Sequence, residues 1–399
     1  MYNNIECTIH NAIFIIVGGF RLNFIIEKYK TITRKQFFLS LILVISFIVS
    51  VIFVHHNYSF YDRPIAEVIK TELKNTTDVM DIYDNKDQLF TQHIIAKIKN
   101  GDNKGQLVHL TNEYSTSKAY DQEFQVGQNV FVSIDQSNEH TYLTGTIKDV
   151  KRDTYVVLVA WIFAFILLIV GRKQGFFSMI SLIINAVLLS YALDIYLNNP
   201  EWNLIIICSI AVLLFTVISL LLVNGLNEKT YAAIIATILG TFLSLLISYL
   251  VIWLTSEEGL RYEELQFITR PYQMVFMAGL FIGSLGAIMD VAITMSSSIF
   301  ELYEKNNNIP LKALKKSGME IGKDIMGTMT NILFFAYISG SIPMLILYLK
   351  NHSPLGYTLS MNLSLELARA LAGGIGIVIT IPIGLYTAIF FVNRKRGRI

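Results

Sequence analysis

The chain has 399 residues, of which 53% are hydrophobic and only 16% are charged, whereas a soluble domain carries roughly 25% charged residues. This composition excludes an ordinary soluble protein and predicts a polytopic membrane protein. The formal net charge of +2 is too small to indicate nucleic-acid binding, and the two cysteines, Cys7 and Cys208, cannot form a disulfide framework.

Eight apolar segments predict membrane-spanning helices, because crossing about 30 Å of hydrocarbon takes roughly 17 to 25 helical residues. Residues 1–36 form a cytoplasmic leader before the first segment, and the apolar run 11–20 within it is too short to span. The predicted fold is an all-α membrane bundle of about eight helices, seven of them within residues 154–393. The eight segments are residues 37–55, 155–170, 176–196, 203–223, 230–254, 272–298, 324–349 and 367–392.

Lysine and arginine are distributed unequally between the connections. The short connections after the third, fifth and seventh segments hold only Arg261, Arg270 and Lys350. The other connections and both ends of the chain are basic, which predicts that both termini are cytoplasmic and that residues 394–399 form a basic tail. The basic positions are Lys28, Lys30, Arg34, Lys35, Arg172, Lys173, Lys229, Lys305, Lys312, Lys315, Lys316, Lys323, Arg394, Lys395, Arg396 and Arg398.

Residues 57–153 form a long polar segment between the first and second helices, and the charge asymmetry places it outside the cytoplasm. Short alternating runs separated by turn residues indicate a small β domain, either a sandwich or a barrel such as an OB-like barrel. Its histidines, His93, His109 and His140, do not share a metal-ligand spacing, so no metal site is predicted. The predicted strands are residues 93–99, 106–110, 129–134 and 141–147.

The connection 301–323 has the pattern of a short amphipathic helix on the cytoplasmic membrane face. Pro310 stands at its start, where proline is tolerated. Apolar residues alternate with lysines after it, which favours an anchor at the membrane surface over a protein-docking site. The apolar positions are Leu311, Leu314, Met319 and Ile321.

The sixth segment carries a carboxylate in an otherwise apolar helix. An ionised side chain at the bilayer centre costs at least about 2.5 to 3.5 kcal/mol, which makes Asp290 a functional candidate. The alternative is that Asp290 only hydrogen-bonds neighbouring helices. A polar stripe beside a glycine groove predicts the interior of the bundle. Six residues share this face at spacings of three or four: Gly279, Gly283, Gly286, Asp290, Thr294 and Ser297.

The seventh segment repeats the pattern. Asp324, Thr328 and Asn331 lie at spacings of four and three residues, with Gly327 and Thr330 beside them. Asp324 stands at the predicted start of the helix, where a carboxylate can cap it and interact with its dipole, so a cap and a functional role are equally open. The deeper hydroxyl and amide groups could pair with the carboxylate of the sixth segment.

The eighth segment begins with charged residues three apart, Glu366 and Arg369, which predict an ion pair near the outer interface. Gly373 and Gly376 continue the stripe of small residues, where another helix can pack closely. Pro382 frees a backbone carbonyl group, which commonly marks a kink near a cavity.

Several short motifs stand out in the membrane part. They are Gly286-Ala-Ile-Met-Asp290-Val-Ala, Ser296-Ser-Ser298 with Glu301, Ile321-Gly-Lys-Asp324-Ile-Met-Gly-Thr-Met-Thr-Asn331, and Ala372-Gly-Gly-Ile-Gly376 with Thr380-Ile-Pro382. These motifs resemble hallmark sequences of the YibE/F family of bacterial membrane proteins. Gly101-Asp-Asn-Lys104-Gly105 and Gly127-Gln-Asn-Val130 are similar to the YibE-type half, which carries an extracytoplasmic domain. Ile332 and Gly384 depart from the family pattern, where threonine is expected.

The resemblance implies a multipass protein of the bacterial cell membrane. Its implied partners, besides the lipid bilayer, are a YibF-like membrane protein or a second copy in a homo-oligomer. The aspartate-bearing, glycine-rich helix followed by a threonine-rich helix is also similar to the proton-coupled core of the RND transporters, whose six spans differ from the eight predicted here.

Two functions follow. In the first, the protein is a transporter or export component in which Asp290 exchanges a proton while Thr328, Thr330 and Asn331 complete a relay. In the second, it is a non-transporting scaffold or assembly factor that acts through its extracytoplasmic domain. No His-Glu-x-x-His pair, Gly-x-Ser-x-Gly elbow or phosphate-binding loop is present in the sequence, so neither an enzyme nor a cofactor is predicted.

Overall fold

The computed structural model describes residues 34–118, 121–135, 143–199, 201–265 and 270–396. Most of the predicted leader, residues 1–33, lies outside these ranges, as do His140 and residues 397–399 of the basic tail. Contacts divide the chain into two compact units, Met1–Phe165 and Ile166–Ile399. The described residues are mostly helical and include a small sheet domain near the N-terminus, as the sequence predicts.

The described residues of the first unit form a long helix, five strands and the start of a second helix. Helix α1 (Arg34–His56) precedes the strands, and α2 (Asp153–Asn198) begins after them. Hydrogen bonds join the strands in the closed order β1-β2-β3-β5-β4, in which β3 runs parallel to β5 and β1 pairs with β4. The strands are β1 (Ile65–Met80), β2 (Lys86–Ile98), β3 (Leu107–Ser115), β4 (Asn129–Ile134) and β5 (Leu143–Val150).

The alternation of side chains along the strands forms the core of the sheet domain. Every second residue points inward, and these positions hold aliphatic side chains that are almost fully buried. Burying each large aliphatic side chain contributes about 1.5 to 3 kcal/mol. The core includes Val68, Ile94, Ile98, Val108, Leu110 and Val130.

The paired strands β1 and β2 extend past the rest of the sheet as a ribbon. β1 pairs with β4 only around Ala66, whereas its pairing with β2 continues to Met80 opposite Lys86. Along the ribbon and at its tip, Leu73, Met80 and Ile82 are 58%, 60% and 90% exposed.

A buried lysine ties the sheet domain to the helices before and after it. The side chain of Lys151, just after β5, is only 3% exposed. Its Nζ donates to the carbonyl oxygen of Val54 near the end of α1 at 2.6 Å and to Asp153 Oδ1 at the start of α2 at 2.9 Å. Tyr61 donates to the same carboxylate at 2.8 Å. A buried charge is tolerated when it is paired and hydrogen-bonded, so these contacts hold the three elements together.

The second unit is a helical bundle. Among the described residues, α1 to α5 and α8 are long and apolar enough to cross a membrane, and α6 with α7 forms a bent pair that would make a seventh span. The helices after α2 are α3 (Leu204–Asn224), α4 (Glu228–Leu254), α5 (Tyr272–Lys305), α6 (Leu311–Ser339), α7 (Ile342–Lys350) and α8 (Leu355–Arg396).

Helix α2 covers two of the predicted spans, 155–170 and 176–196, and is broken between them. A straight helix of its 46 residues would be about 69 Å long, more than twice the thickness of the hydrocarbon. Arg172 interrupts it with a φ of 47° and a ψ of −120°. After the break the chain approaches itself so closely that a side chain on Gly175 would clash with the carbonyl oxygen of Leu167.

Helix α8 lies at the centre of the bundle and packs against α4, α5 and α6. A Cβ atom on Gly376 would lie 2.5 Å from Ile288 Cδ1 of α5, so a larger residue there would displace the Ile288 side chain. Ser244 of α4 donates a hydrogen bond to the carbonyl oxygen of Ala372 at 2.8 Å. Such close contacts and interhelical hydrogen bonds drive helix association in a bilayer, where burial of apolar surface does not.

The segment 301–323 differs from the surface helix that the sequence predicts. Its first residues continue α5 to Lys305, and the rest belongs to α6, which runs unbroken from Leu311 to Ser339. Leu314, Gly318 and Gly322 are buried at four-residue spacing, and the two glycines contact Leu385 and Ile381 of α8. The amphipathic pattern therefore reflects packing against α8, and the lysines face outward because they lie on the opposite side.

The last two predicted spans also have different bounds. The span 324–349 is bent by 53° between α6 and α7, where Pro343 occupies the first turn of α7. Proline fits there because its missing N–H would have no intrahelical partner. The span 367–392 lies inside α8, which begins twelve residues earlier at Leu355.

Candidate functional site

The polar face of α5 lies on the outer surface of the described chain. Asp290 is exposed, and so are Gly279, Gly283 and Gly286 on the same side. Within the described residues no hydrogen bond or ion pair to the Asp290 carboxylate is found, and Thr294 instead donates to the Asp290 main-chain oxygen at 2.7 Å. The sequence predicts this stripe inside the bundle, and the single chain places it outside.

The opposite face of α5 explains this orientation. The large side chains on this face are fully buried, with 0% exposure for Phe281, Ile288, Val291 and Met295. They pack against other helices of the bundle. Since large apolar side chains at helical spacing fill the core, the glycines and Asp290 are turned away from it. The packing of one chain therefore leaves a carboxylate and a groove of small residues open.

Asp324 is not a helix cap. It lies thirteen residues after the start of α6 at Leu311, because the helix begins well before the apolar segment that predicts it. Asp324, Thr328 and Asn331 are exposed, whereas Thr330 is half-buried with its Cγ2 3.4 Å from the position of a Cβ on Gly374 of α8. Thr328 donates to the Ile325 carbonyl oxygen at 2.9 Å.

Asp290 and the polar residues of α6 lie at about the same level. The hydroxyl of Tyr337 lies against Gly283 near one end of the two helices, and Ile299 Cδ1 lies 2.5 Å from a Cβ position on Gly318 near the other. Interpolation between these contacts places Asp290 level with residues 328–331. No hydrogen bond joins it to Thr328 or Asn331 in the described chain, so the predicted relay is not formed within one chain.

Apart from Gly283, which lies against the Tyr337 hydroxyl of α6, the glycines predicted to pack helices fall into two groups. For Gly279, Gly286 and Gly327 nothing lies within 4 Å of an added Cβ. Gly373 and Gly376 lie inside the bundle, and a Cβ on Gly373 would be 2.7 Å from Leu333 Cδ1. The open group therefore belongs to the outer faces of α5 and α6, and the closed group belongs to α8.

Ser297 lines a separate cavity near the C-terminal end of α5. This cavity has a volume of about 780 Å³ and is also lined by Glu301, Glu304 and Lys395. Among the described residues, no group of three histidine, cysteine, aspartate or glutamate side chains could hold a metal ion. The charges around Ser297 therefore form a mixed polar surface.

Glu366 and Arg369 form the predicted ion pair, and both side chains are mostly buried in the bundle. Their side chains are 17% and 21% exposed, and the Arg369 guanidinium lies 5.3 Å from the centre of the Phe276 ring. Glu366 lines a cavity of about 350 Å³ at the bend between α6 and α7, together with Tyr337, Ser341 and Asn362.

The sequence patterns that predict the site do not include Tyr337, Ser341 or Asn362. A signal was present for one of them, because Asn362, Glu366 and Arg369 lie at spacings of four and three on one face of α8. Tyr337 and Ser341 reach the cavity because α6 ends there. That ending is set by the break before Pro343 rather than by any polar pattern.

Family models match most of the chain. The model described as YibE/F-like protein matches residues 159–394, and the model described as YibE/F family N-terminal domain matches residues 59–150. The second match coincides with the sheet domain and the first with the helices that follow it. No curated protein and no solved structure matches the chain.

Proposed function

Because the chain belongs to the YibE/F family, we propose that it is a subunit of a transport or export complex in the bacterial cell membrane, coupled to protons through Asp290. The family match and the apolar helices support a multipass membrane protein. Transport and proton coupling go beyond that support and rest on the geometry of α5.

The proposal includes eight spans with both termini in the cytoplasm. Treating α6 with α7 as one span and dividing α2 at Arg172 leads to that number. An even number returns the chain to its starting side, and the basic connections follow the positive-inside rule. The sheet domain is then extracytoplasmic, and its closed strand order supports an OB-like barrel.

The observation that carries the proposal is the unpartnered carboxylate on the outward face of α5. Asp290 lies eighteen residues after Tyr272 and fifteen before Lys305, so it stands near the middle of the helix. A charge at that depth facing lipid costs at least about 2.5 to 3.5 kcal/mol. A carboxyl group avoids this cost when it takes up a proton or when another polar surface covers it. In a proton-coupled subunit within a complex, the carboxyl group meets both of these conditions.

The same face supports a second membrane chain as the partner. Gly279 and Gly286 leave open space beside Asp290, and small residues at this spacing allow a helix from another chain to approach closely. A YibF-like protein or a second copy of this chain would then bring polar groups to Asp290, Thr328 and Asn331 and complete the relay.

The test is proton uptake by inside-out membrane vesicles from cells that contain the full chain and its native partners, followed with a pH-sensitive dye. Asp290→Asn keeps the shape of the side chain and removes its proton exchange, so the chain-dependent uptake should fall at least about tenfold. Asp194→Asn is the matched control, because Asp194 is an exposed carboxylate on α2. Uptake at the wild-type rate in Asp290→Asn, at equal protein abundance, overturns proton coupling.

A scaffold function is the second candidate, and the exposed tip of the β1–β2 ribbon favours it. Ile82 is 90% exposed, and an apolar side chain this open suits contact with another protein. If the protein is a scaffold, Ile82→Asp should abolish assembly and function while Asp290→Asn is tolerated. The opposite pattern supports the transport subunit.

A further inference from the structure

The bend between α6 and α7 creates a cavity that none of the predicted roles uses. We propose that this cavity, of about 350 Å³, is a binding site for a small organic ammonium ion, with Glu366 as the group that holds the charge. Binding of the ammonium ion in this cavity does not require transport. The cavity becomes the substrate site of the proposed complex only if transport is shown separately.

The end of α6 faces the cavity. Ala336 and Tyr337 from its last turn line the cavity with Gly340, which follows the helix, and the chain then turns by 53° into α7. The carbonyl groups of Ala336 and Ile338 already accept hydrogen bonds, from Ser339 Oγ at 3.0 Å and Ser341 N at 3.0 Å. The C-terminus of a helix carries a partial negative charge, so the end of α6 presents a negative potential to the cavity.

Polar groups in the wall of the cavity have unused hydrogen-bonding capacity. Asn362 is 5% exposed and its Nδ2 donates to the Thr358 carbonyl oxygen at 2.9 Å, which leaves Oδ1 as an acceptor. Ser341 is 9% exposed, and among the described residues its hydroxyl has no hydrogen-bond partner. The hydroxyl of the half-buried Tyr337 has none there either. Buried polar groups normally have partners, so the two buried groups and the tyrosine hydroxyl around one space favour a polar ligand.

The charge in the wall favours a cation. Glu366 is the charged residue in the wall of the cavity, and Arg369 contacts its Oε1, so Oε2 stays available. Arg369 is also held by the ring of Phe276 at 5.3 Å and does not line the cavity. The carboxylate oxygen of Glu366 and the amide oxygen of Asn362 accept hydrogen bonds from a cation and repel an anion.

The size and the apolar part of the wall select the kind of cation. The volume of the cavity lies near the lower end of the range for ligand pockets, which is about 300 to 1,000 Å³. It exceeds the volume of a bare metal ion. Ala336 and Met344 supply an apolar side. A primary ammonium on a short hydrocarbon chain matches both parts, since its three N–H groups meet the acceptors and its chain meets the apolar side.

The test is calorimetric binding of n-hexylammonium to the purified full chain in lipid nanodiscs, with empty nanodiscs as the blank. We expect saturable binding of n-hexylammonium and none of n-hexanoate or sodium. Glu366→Gln should weaken n-hexylammonium binding about tenfold or more, because it removes a charge-assisted hydrogen bond. Glu263→Gln, which changes an exposed glutamate outside the cavity, should bind like the wild type.

A second variant keeps the test decisive if Glu366→Gln does not fold. Met344→Trp fills the apolar side of the cavity without changing a charge, so it should also remove saturable binding. Unchanged affinity in a folded Glu366→Gln or Met344→Trp variant overturns the site, and so does equal binding of n-hexanoate. Because proton uptake is not measured here, failure of the site and failure of the proposed function are distinguishable.

Discussion

Replacing Lys151 with methionine tests how the sheet domain is fastened to its flanking helices. Methionine keeps the unbranched shape and most of the length of the side chain and removes its charge. The change leaves the Val54 carbonyl oxygen without the donor at 2.6 Å and the Asp153 carboxylate without its cation. We expect the sheet domain to open more often while its apolar core stays intact.

The magnitude follows from the burial of the pair. Removing one partner of a buried ion pair costs about 3 to 5 kcal/mol. Because the Asp153 side chain is 22% exposed, solvent screening lowers this to about 2 to 4 kcal/mol. Hydrogen exchange measured by mass spectrometry on the full chain in nanodiscs should then show amides of β4 and β5 exchanging about 30- to 700-fold faster.

Lys148→Met is the matched control, because Lys148 is an exposed lysine on β5, three residues before Lys151. A surface substitution of this kind changes stability by no more than about 0.5 kcal/mol. If the two variants exchange at the same rate, the buried contacts of Lys151 do not fasten the domain and the reasoning is refuted.

Burial and neighbouring positive charge lower the pKa of His93 from its ordinary value of 6.5. Because the folded pKa lies below the unfolded one, the contribution of His93 to the free energy of unfolding is complete above about pH 6.5 and is lost as the pH falls through the lowered pKa. Hydrogen exchange in β2, corrected for intrinsic rates, should therefore rise on acidification. His93→Gln should remove this pH dependence. In the bundle, Gly376→Ala places a methyl group against Ile288 and should destabilise by about 1 to 3 kcal/mol, seen as a lower melting temperature in detergent. Gly279→Ala meets nothing within 4 Å, so equal melting of the two variants contradicts the packing described for α8.

The sequence predicts which residues share a side of a helix, but in a membrane it does not predict which side faces the core. The stripe from Gly279 to Asp290 shares one face, as its spacing requires. It faces outward because lipid and protein interior are equally apolar, so hydrophobicity does not distinguish them as it does in water. The large side chains of Phe281 and Ile288 determine which side of α5 faces the core, because they pack against the other helices.

The bounds of the helices show a second limit of prediction from the sequence. Hydropathy places the start of the seventh segment at Asp324, but the helix begins at Leu311, because Gly318 and Gly322 allow it to pack on α8 outside the apolar stretch. By contrast, short-range signals suffice for the predicted strands 93–99 and 106–110, which fall within or beside β2 and β3. Local alternation determines strands, whereas contacts between distant helices determine where α6 begins.

The most direct test of the central claim is the reactivity of Asp290 toward dicyclohexylcarbodiimide, which modifies protonated carboxyl groups in apolar surroundings. In native membranes, peptide mass spectrometry should show Asp290 modified much faster than the exposed Asp194, and proton uptake should fall in proportion to the modified fraction. Equal modification of Asp290 and Asp194, or full proton uptake by the modified protein, would contradict a proton-exchanging carboxyl group on the outer face of α5.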